Sequence, residues 1–170
     1  LIHNTSQVIQ LTPQPQRGAE LGTLNILPHG AVLLDNERIV AVGEPAELLL
    51  AHPEADLLDA GGRAVLPGLV DPHTHLVWAG DRLDEFEMRL QGKSYMEIMA
   101  AGGGIAATLQ ATRAASFEEL LSQARERART AFAHGTTTLE AKTGYGLDIE
   151  TELKQLEVIG TMQRELLDFA

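Results

Sequence analysis

The stretch Leu66-Pro67-Gly68-Leu69-Val70-Asp71-Pro72-His73-Thr74-His75 decides how the rest of the chain is read. It ends the nearly continuous apolar run from Ala64 to Asp71, which only Pro67-Gly68 interrupts. Such a run reads as a strand buried on both faces, as in a parallel sheet. Residues i and i+2 of a strand point to one face, so His73 and His75 project together. Two imidazole nitrogens placed that way can share one metal ion at about 2.0–2.1 Å each. Both histidines follow the apolar run and so lie near the strand's C-terminal end, where βα barrels build their active sites. A bare His-x-His also arises by chance, and a buried histidine often does no more than find a hydrogen-bond partner. The position after a buried strand is what gives this pair weight.

Outward from that stretch the pattern changes character. Upstream, Ala31–Asp35 and Arg38–Gly43 read as a hairpin about the turn signal Asp35-Asn36-Glu37. The Pro- and Gln-rich Thr12–Gly18 reads as a loop, and Pro45–Ala51 as a short helix with proline in its first turn. Downstream, a short helical piece is expected around Ser94–Ala101, then a break at Gly102-Gly103-Gly104. Ser116 with Glu119 is a capping box opening a long amphipathic helix, whose apolar stripe is Leu120, Leu121, Ala124, Ala128, Ala131 and Phe132. Gly135 closes that helix, Thr136–Lys142 is the next strand, and a further helix runs from about Glu150 to Leu167. In that strand Leu139 and Ala141 should face helices, and Thr138, Glu140 and Lys142 the opposite side, with Glu140 and Lys142 paired to each other.

Alternating strands and helices of these lengths argue for parallel βα units. A closed (β/α)8 barrel needs roughly 250 residues. The expectation is therefore α/β: residues 1–62 are part of a small N-terminal β-sandwich module, and residues 63–170 are the first βα units of a TIM-type barrel. The chain starts without Met and stops at Phe169-Ala170 directly after a helical pattern, which reads as a piece of something longer.

Composition narrows the partners. The 13 Lys plus Arg against 24 Asp plus Glu leave a net charge of -11, with no basic patch, which disfavours nucleic acid and anionic membranes. Arg125, Arg127 and Arg129 alternate with Glu126 and Ala128 and read as a solvated helix face. With no cysteine there is no disulfide framework or thiolate zinc site, and a cytoplasmic location is expected. No apolar stretch approaches the ~20 residues a membrane span requires.

The stretch Leu66–His75 resembles the first barrel strand of the amidohydrolase superfamily. The runs GDRLDEFEMRLQGKSYMEIMAAGGGI (Gly80–Ile105) and EAKTGYGL (Glu140–Leu147) are similar to imidazolonepropionases in particular. The resemblance covers roughly Leu66–Leu156. It implies a (β/α)8 barrel flanked by a β-sandwich made from both chain ends. The implied reaction is hydrolysis of the ring C–N bond of 4-imidazolone-5-propanoate to N-formimidoyl-L-glutamate, the third step of histidine degradation, by a metal-activated water. By the same resemblance His73 and His75 are ligands of one divalent ion, zinc or iron, Arg82 and Tyr145 contact the small anionic substrate, and the protein is a homodimer. The family's third metal histidine and its proton-transferring carboxylates have no counterpart before Ala170, so no catalytic residue is assigned within the chain.

The residues are compatible with these roles and also with plainer ones. A guanidinium can take a carboxylate with two hydrogen bonds, which suits Arg82 to a propanoate tail, but Asp81, Asp84 or Glu85 could pair with it instead. Tyr145 between Gly144 and Gly146 could lie over a ligand or be an ordinary loop tyrosine. His3 in a frayed terminus, His29 before a strand, His52 in a loop and His134 at a helix end read as structural. The three glycines lack the Lys-Ser/Thr of a phosphate loop and read as a flexible turn. Another amidohydrolase, such as a nucleobase deaminase or dihydropyrimidinase, would share the histidines but not the run after Arg82. An inactive half-barrel fragment is the remaining alternative.

Overall fold

The structure, a computed structural model, describes residues 1–167, with side chains through residue 165. The last part of the expected barrel segment, residues 168–170, lies outside the described residues. The chain is mixed α/β and divides into two compact units, Leu1–Pro67 and Gly68–Ala170.

The first unit contains β1 (Ile2–His3), β2 (Gln7–Gln10), β3 (Asn25–Pro28), β4 (Ala31–Asp35), β5 (Arg38–Gly43), α1 (Pro45–Ala51), β6 (Leu58–Asp59) and β7 (Ala64–Val65). They form a four-stranded sheet ordered β5-β4-β1-β6 and a three-stranded sheet ordered β3-β2-β7. The β4–β5 hairpin turns as read: Asp35 pairs with Arg38, and Asn36 takes a φ of 52°, a left-handed conformation asparagine tolerates. α1 starts at Pro45 as read. Leu1, Ala31 and Leu33 form the core under Leu48 and Leu49 of α1. The N-terminus is not frayed, contrary to expectation for His3. Leu1 is buried, its ammonium donates to the Asp56 carbonyl at 2.6 Å, and Ile2 pairs with Val32 on one side and Leu58 on the other. Burial of Leu1 fixes a strand too short to hold itself.

The second unit contains β8 (Leu69–Thr74), α2 (Leu83–Leu90), α3 (Tyr95–Ala100), α4 (Ile105–Ala114), α5 (Phe117–Ala133), β9 (Thr136–Ala141) and α6 (Ile149–Leu167). β8 and β9 pair in parallel, from Leu69 opposite Thr136 to Thr74 opposite Ala141, so the intervening helices form the crossover. Both serine-led helices carry full capping boxes. At α5 the Ser116 hydroxyl accepts from Glu119 N–H at 3.2 Å while the Glu119 carboxylate accepts from Ser116 N–H at 2.8 Å. Ser94 and Glu97 do the same at α3. A cap of this kind is worth about 0.5–2 kcal/mol.

Behind β8 and β9 a core gathers Leu76, Val77 and Ala79, then Leu120, Leu121 and Ala124 of α5, and Val158 and Met162 of α6. Each buried leucine contributes roughly 1.5–3 kcal/mol. Leu139 and Ala141 pack against this cluster, on the helix side, as expected. Among the described residues, no helix is long and apolar enough to cross a membrane.

Four sequence expectations are corrected here. The apolar run Ala64–Asp71 is not one strand: β7 pairs with β2 in the first unit, and β8 begins after Pro67-Gly68 in the second. β8 is not buried on both faces, because Leu69 is 50% and Val70 65% exposed. Phe132 is 70% exposed, since the α5 stripe meets the core only as far as Ala128. The arginines of α5 are not a common solvated face. Residues two apart on a helix point to nearly opposite sides, so Arg125 pairs with Glu165 of α6 while Arg127 turns inward. The Arg127 guanidinium lies 3.7 Å from the Trp78 ring centroid and donates to the carbonyls of Leu76 and Trp78 at 3.1 and 2.8 Å. Arg129 stays exposed, 3.9 Å from Glu126.

Candidate active site

The end of β8 is shaped by Pro72, which has no N–H to give the ladder, and the β8–β9 register shifts between Asp71 and Thr74. The Asp71 carboxylate closes the gap by accepting from the Thr74 hydroxyl and from His73 N–H at 3.1 Å. Those bonds, Thr74's first, hold the Asp71 carboxyl below its ordinary range. Beyond the shift Lys142 N–H donates to the Thr74 carbonyl at 2.9 Å, so the strands still run side by side where the histidines project.

His73 and His75 emerge together, with ring centroids 6.0 Å apart and planes at 82°. His73 is exposed, and the Lys142 ammonium lies 3.4 Å from its Nδ1 and 3.3 Å from its Nε2. These near-equal distances put the ammonium over the ring, not along the in-plane lone pair of either nitrogen. The expected Glu140–Lys142 pair is therefore not formed among the described residues: Lys142 reaches across to β8 instead. His75 is half-buried, and its Nδ1 is a buried ring nitrogen with no hydrogen-bond partner. An unsatisfied buried polar atom costs about 1–3 kcal/mol, which a ligand at this ring would relieve.

Tyr145 packs on that ring, with centroids 5.0 Å apart and planes at 58°. The glycines flanking it are needed for so close an approach. A Cβ on Gly144, at φ 132°, would lie 2.8 Å from His75 Cε1, and one on Gly146 would lie 2.9 Å from the Glu152 nitrogen.

Arg82 stands on a separate support. It is the residue before α2, its Nε donates to Thr108 Oγ1 of α4 at 3.2 Å, and the same Nε lies 3.7 Å from Glu85 Oε1. The ion pair foreseen as the plainer reading thus exists, but it engages only Nε. The two terminal nitrogens of the guanidinium have no hydrogen-bond partner among the described residues. Glu85 is itself buried and accepts from Gly104 N–H at 2.6 Å, which pins the three-glycine turn between α3 and α4. No direct contact joins Arg82 to the histidines among the described residues.

His73, His75 and Tyr145 are thus brought together. No third His, Asp or Glu completes a metal-ligand cluster among the described residues. Two imidazoles, one with an unpartnered buried nitrogen, fit part of a divalent-metal donor set. Three of the four remaining histidines have structural partners: His29 Nδ1 lies 3.3 Å from the Thr5 carbonyl, His52 is 3.5 Å from Glu54, and His134 Nδ1 is 2.7 Å from the Thr130 carbonyl. Sequence reasoning missed Thr108, Glu152 and Gln155. Only Glu152 left a signal, as an acidic residue in the first turn of the helix that follows the glycine loop.

The model of the imidazolonepropionase-like composite domain of bacteria matches residues 30–55, and that of the amidohydrolase family matches residues 56–147, more than half of the chain. The chain is 49% identical over 162 residues to an imidazolonepropionase of Herpetosiphon aurantiacus, covering 95% of this chain and 38% of that protein. It is 50% identical over 161 residues to the imidazolonepropionase of Deinococcus radiodurans, covering 94% and 39%. With that of Brevibacillus brevis the identity is 49% over 164 residues, covering 92% and 39%. The chain thus spans about two-fifths of the length of the curated relatives it matches. The match over residues 56–147 shows that this chain belongs to the amidohydrolase family of metal-dependent hydrolases.

Proposed function

We propose that the full-length protein is an imidazolonepropionase, which opens the ring of 4-imidazolone-5-propanoate by hydrolysis of a C–N bond to give N-formimidoyl-L-glutamate. The observation that carries this reading is the cluster of His73, His75 and Tyr145, with the buried His75 Nδ1 left without a partner. Relatives bearing that name at 46–52% identity support the substrate.

In this reading His73 and His75 are two of the ligands of one zinc or iron ion, and the others come from residues outside this chain. Bound there, a divalent ion supplies water of lowered pKa and polarises the ring carbonyl. Arg82 binds the propanoate through its two free terminal nitrogens while Thr108 and Glu85 hold the rest of the guanidinium. Permanent charge and a planar fork suit it to a carboxylate. Tyr145 covers the substrate ring and shields the histidine side from bulk water. Unit Leu1–Pro67 belongs to a β-sandwich module and unit Gly68–Ala170 opens a (β/α)8 barrel. The enzyme is a cytoplasmic homodimer.

The test is turnover of 4-imidazolone-5-propanoate by the full-length protein, before and after chelation, with His73→Ala alongside. Activity lost on chelation, restored by zinc or iron and absent in the variant supports the reading. A fully metallated protein that leaves this substrate intact would overturn it and direct the search to other cyclic amides or to amino-substituted nucleobases.

A further inference from the structure

The loop that lays Tyr145 on His75 makes almost no backbone bonds to neighbouring strands; side chains from α4 and α6 take them instead. The Glu152 carboxylate accepts from both Gly146 N–H and Leu147 N–H at 2.8 Å through one oxygen. Gln155, whose side chain is 0% exposed, accepts from Gly144 N–H at 3.3 Å and donates to the Val77 carbonyl at 3.0 Å. It thereby ties the loop to the segment that follows the histidines. Arg113 of α4 donates to the Gly146 carbonyl at 2.7 Å and lies 2.9 Å from the Asp148 carboxylate. Leu147 is exposed and holds a left-handed φ of 54°, which a leucine keeps only where its surroundings enforce it. Buried backbone groups must find partners, and here nearly every partner of a short loop is a side chain fixed on a helix.

We infer that Glu152, with Gln155, is a positioning residue for the substrate: it touches neither the histidines nor a ligand, and it acts by holding Tyr145 at the ring of His75. The inference rests on the proposed substrate-binding role of Tyr145. Removing the carboxylate frees two consecutive N–H groups and releases the left-handed Leu147, so the loop loses its fixed height above His75. Misplacement of a binding group by about 1 Å is enough to cost up to ~100-fold in rate.

The experiment uses the full-length metallated enzyme. Glu152→Ala is expected to raise KM about 10- to 100-fold with a smaller change in kcat and unchanged metal content. Glu152→Gln keeps an acceptor oxygen at the same place and should recover most of the loss. In a Tyr145→Ala background, Glu152→Ala should add less than about two-fold, because its route runs through the tyrosine. Effects that multiply independently in the double variant would overturn the inference. Should Glu152→Ala not fold, amide exchange in the wild-type enzyme decides: Gly146 and Leu147 must be protected despite the exposure of Leu147, and exchange at the rate of a free peptide refutes the clamp. Absence of any wild-type turnover defeats the substrate reading and Tyr145's role in it, while the exchange result still reports separately on whether Glu152 holds the loop.

Discussion

The Lys142 ammonium sits on the face of the His73 ring, 3.3 Å from Nε2 and 3.4 Å from Nδ1. A cation bound by His73 must share that neighbourhood with the positive charge of Lys142, and two unit charges about 4 Å apart repel by about 4 kcal/mol at an effective dielectric near 20, less where water screens them. Lys142→Met in the full-length protein should therefore tighten divalent-metal binding about ten-fold in a chelator competition titration. Weaker binding in that variant would mean that the lysine supports the site instead of opposing it.

Removal of either histidine should empty the site. His73→Ala and His75→Ala are each expected to bring metal content measured by elemental analysis well below one per subunit, with activity down at least ~100-fold, because a metal held by several ligands loses much of its affinity with each one deleted. Full occupancy in either variant would remove that histidine from the ligand set. His75→Ala should also relieve the unpartnered Nδ1, so its metal-free form should lose less stability than the loss of packing against Tyr145 alone would cause.

Arg82→Lys preserves charge and deletes the fork. Its Nε bond to Thr108 would vanish together with the two free terminal nitrogens. kcat/KM for the propanoate substrate should fall about 10- to 100-fold, mainly through KM. The drop should be far smaller for an analogue in which the carboxylate is replaced by an amide. An equal drop on both substrates would point to a structural arginine.

Leu120 is fully buried among residues of α5, α6 and the segment after β8. Leu120→Ala is expected to destabilise the protein by about 2–5 kcal/mol in chemical denaturation. A loss under 1 kcal/mol would imply that the cluster relaxes to fill the space.

Acid should loosen the helix starts of α3 and α5. Glu97 and Glu119 have carboxyls held below their ordinary range, in each case first by the backbone N–H of the capping serine and then by its hydroxyl. A carboxyl with a lowered folded-state pKa contributes stability that is fully present above its ordinary value and is lost as pH falls through the folded value. Stability should thus hold from neutral pH to about pH 5 and decline below about pH 4. Glu119→Gln should flatten that decline when Tm is followed against pH. An unchanged profile would show that the capping box contributes little to the acid response.

What the sequence made legible was local. Asp35-Asn36-Glu37 turned the hairpin because asparagine accepts a left-handed φ, Pro45 opened α1, and Ser116 with Glu119 opened α5, each from rules that act within four residues. His73 and His75 were legible as a pair by strand alternation, although Pro72 shifts the ladder beside them. Contacts across long separations were not legible. Nothing in the spacing announces that Thr108 will meet Arg82, that Gln155 will reach Val77, or that Arg127 will turn inward to Trp78. The burial of β8 was misread because an apolar run records what a strand is suited to meet, and here Leu69 and Val70 stay exposed.

The stacking of Arg127 on Trp78 also gives this protein a built-in optical gauge. Trp78 is the only tryptophan in the chain, so any emission excited at the red edge of this segment's absorption comes from one indole. That indole lies under a guanidinium carried by α5, on the segment leading away from the histidines. Detachment of α5 would withdraw the cation and wet the ring. A shift in the colour of its light therefore times the docking of a single helix.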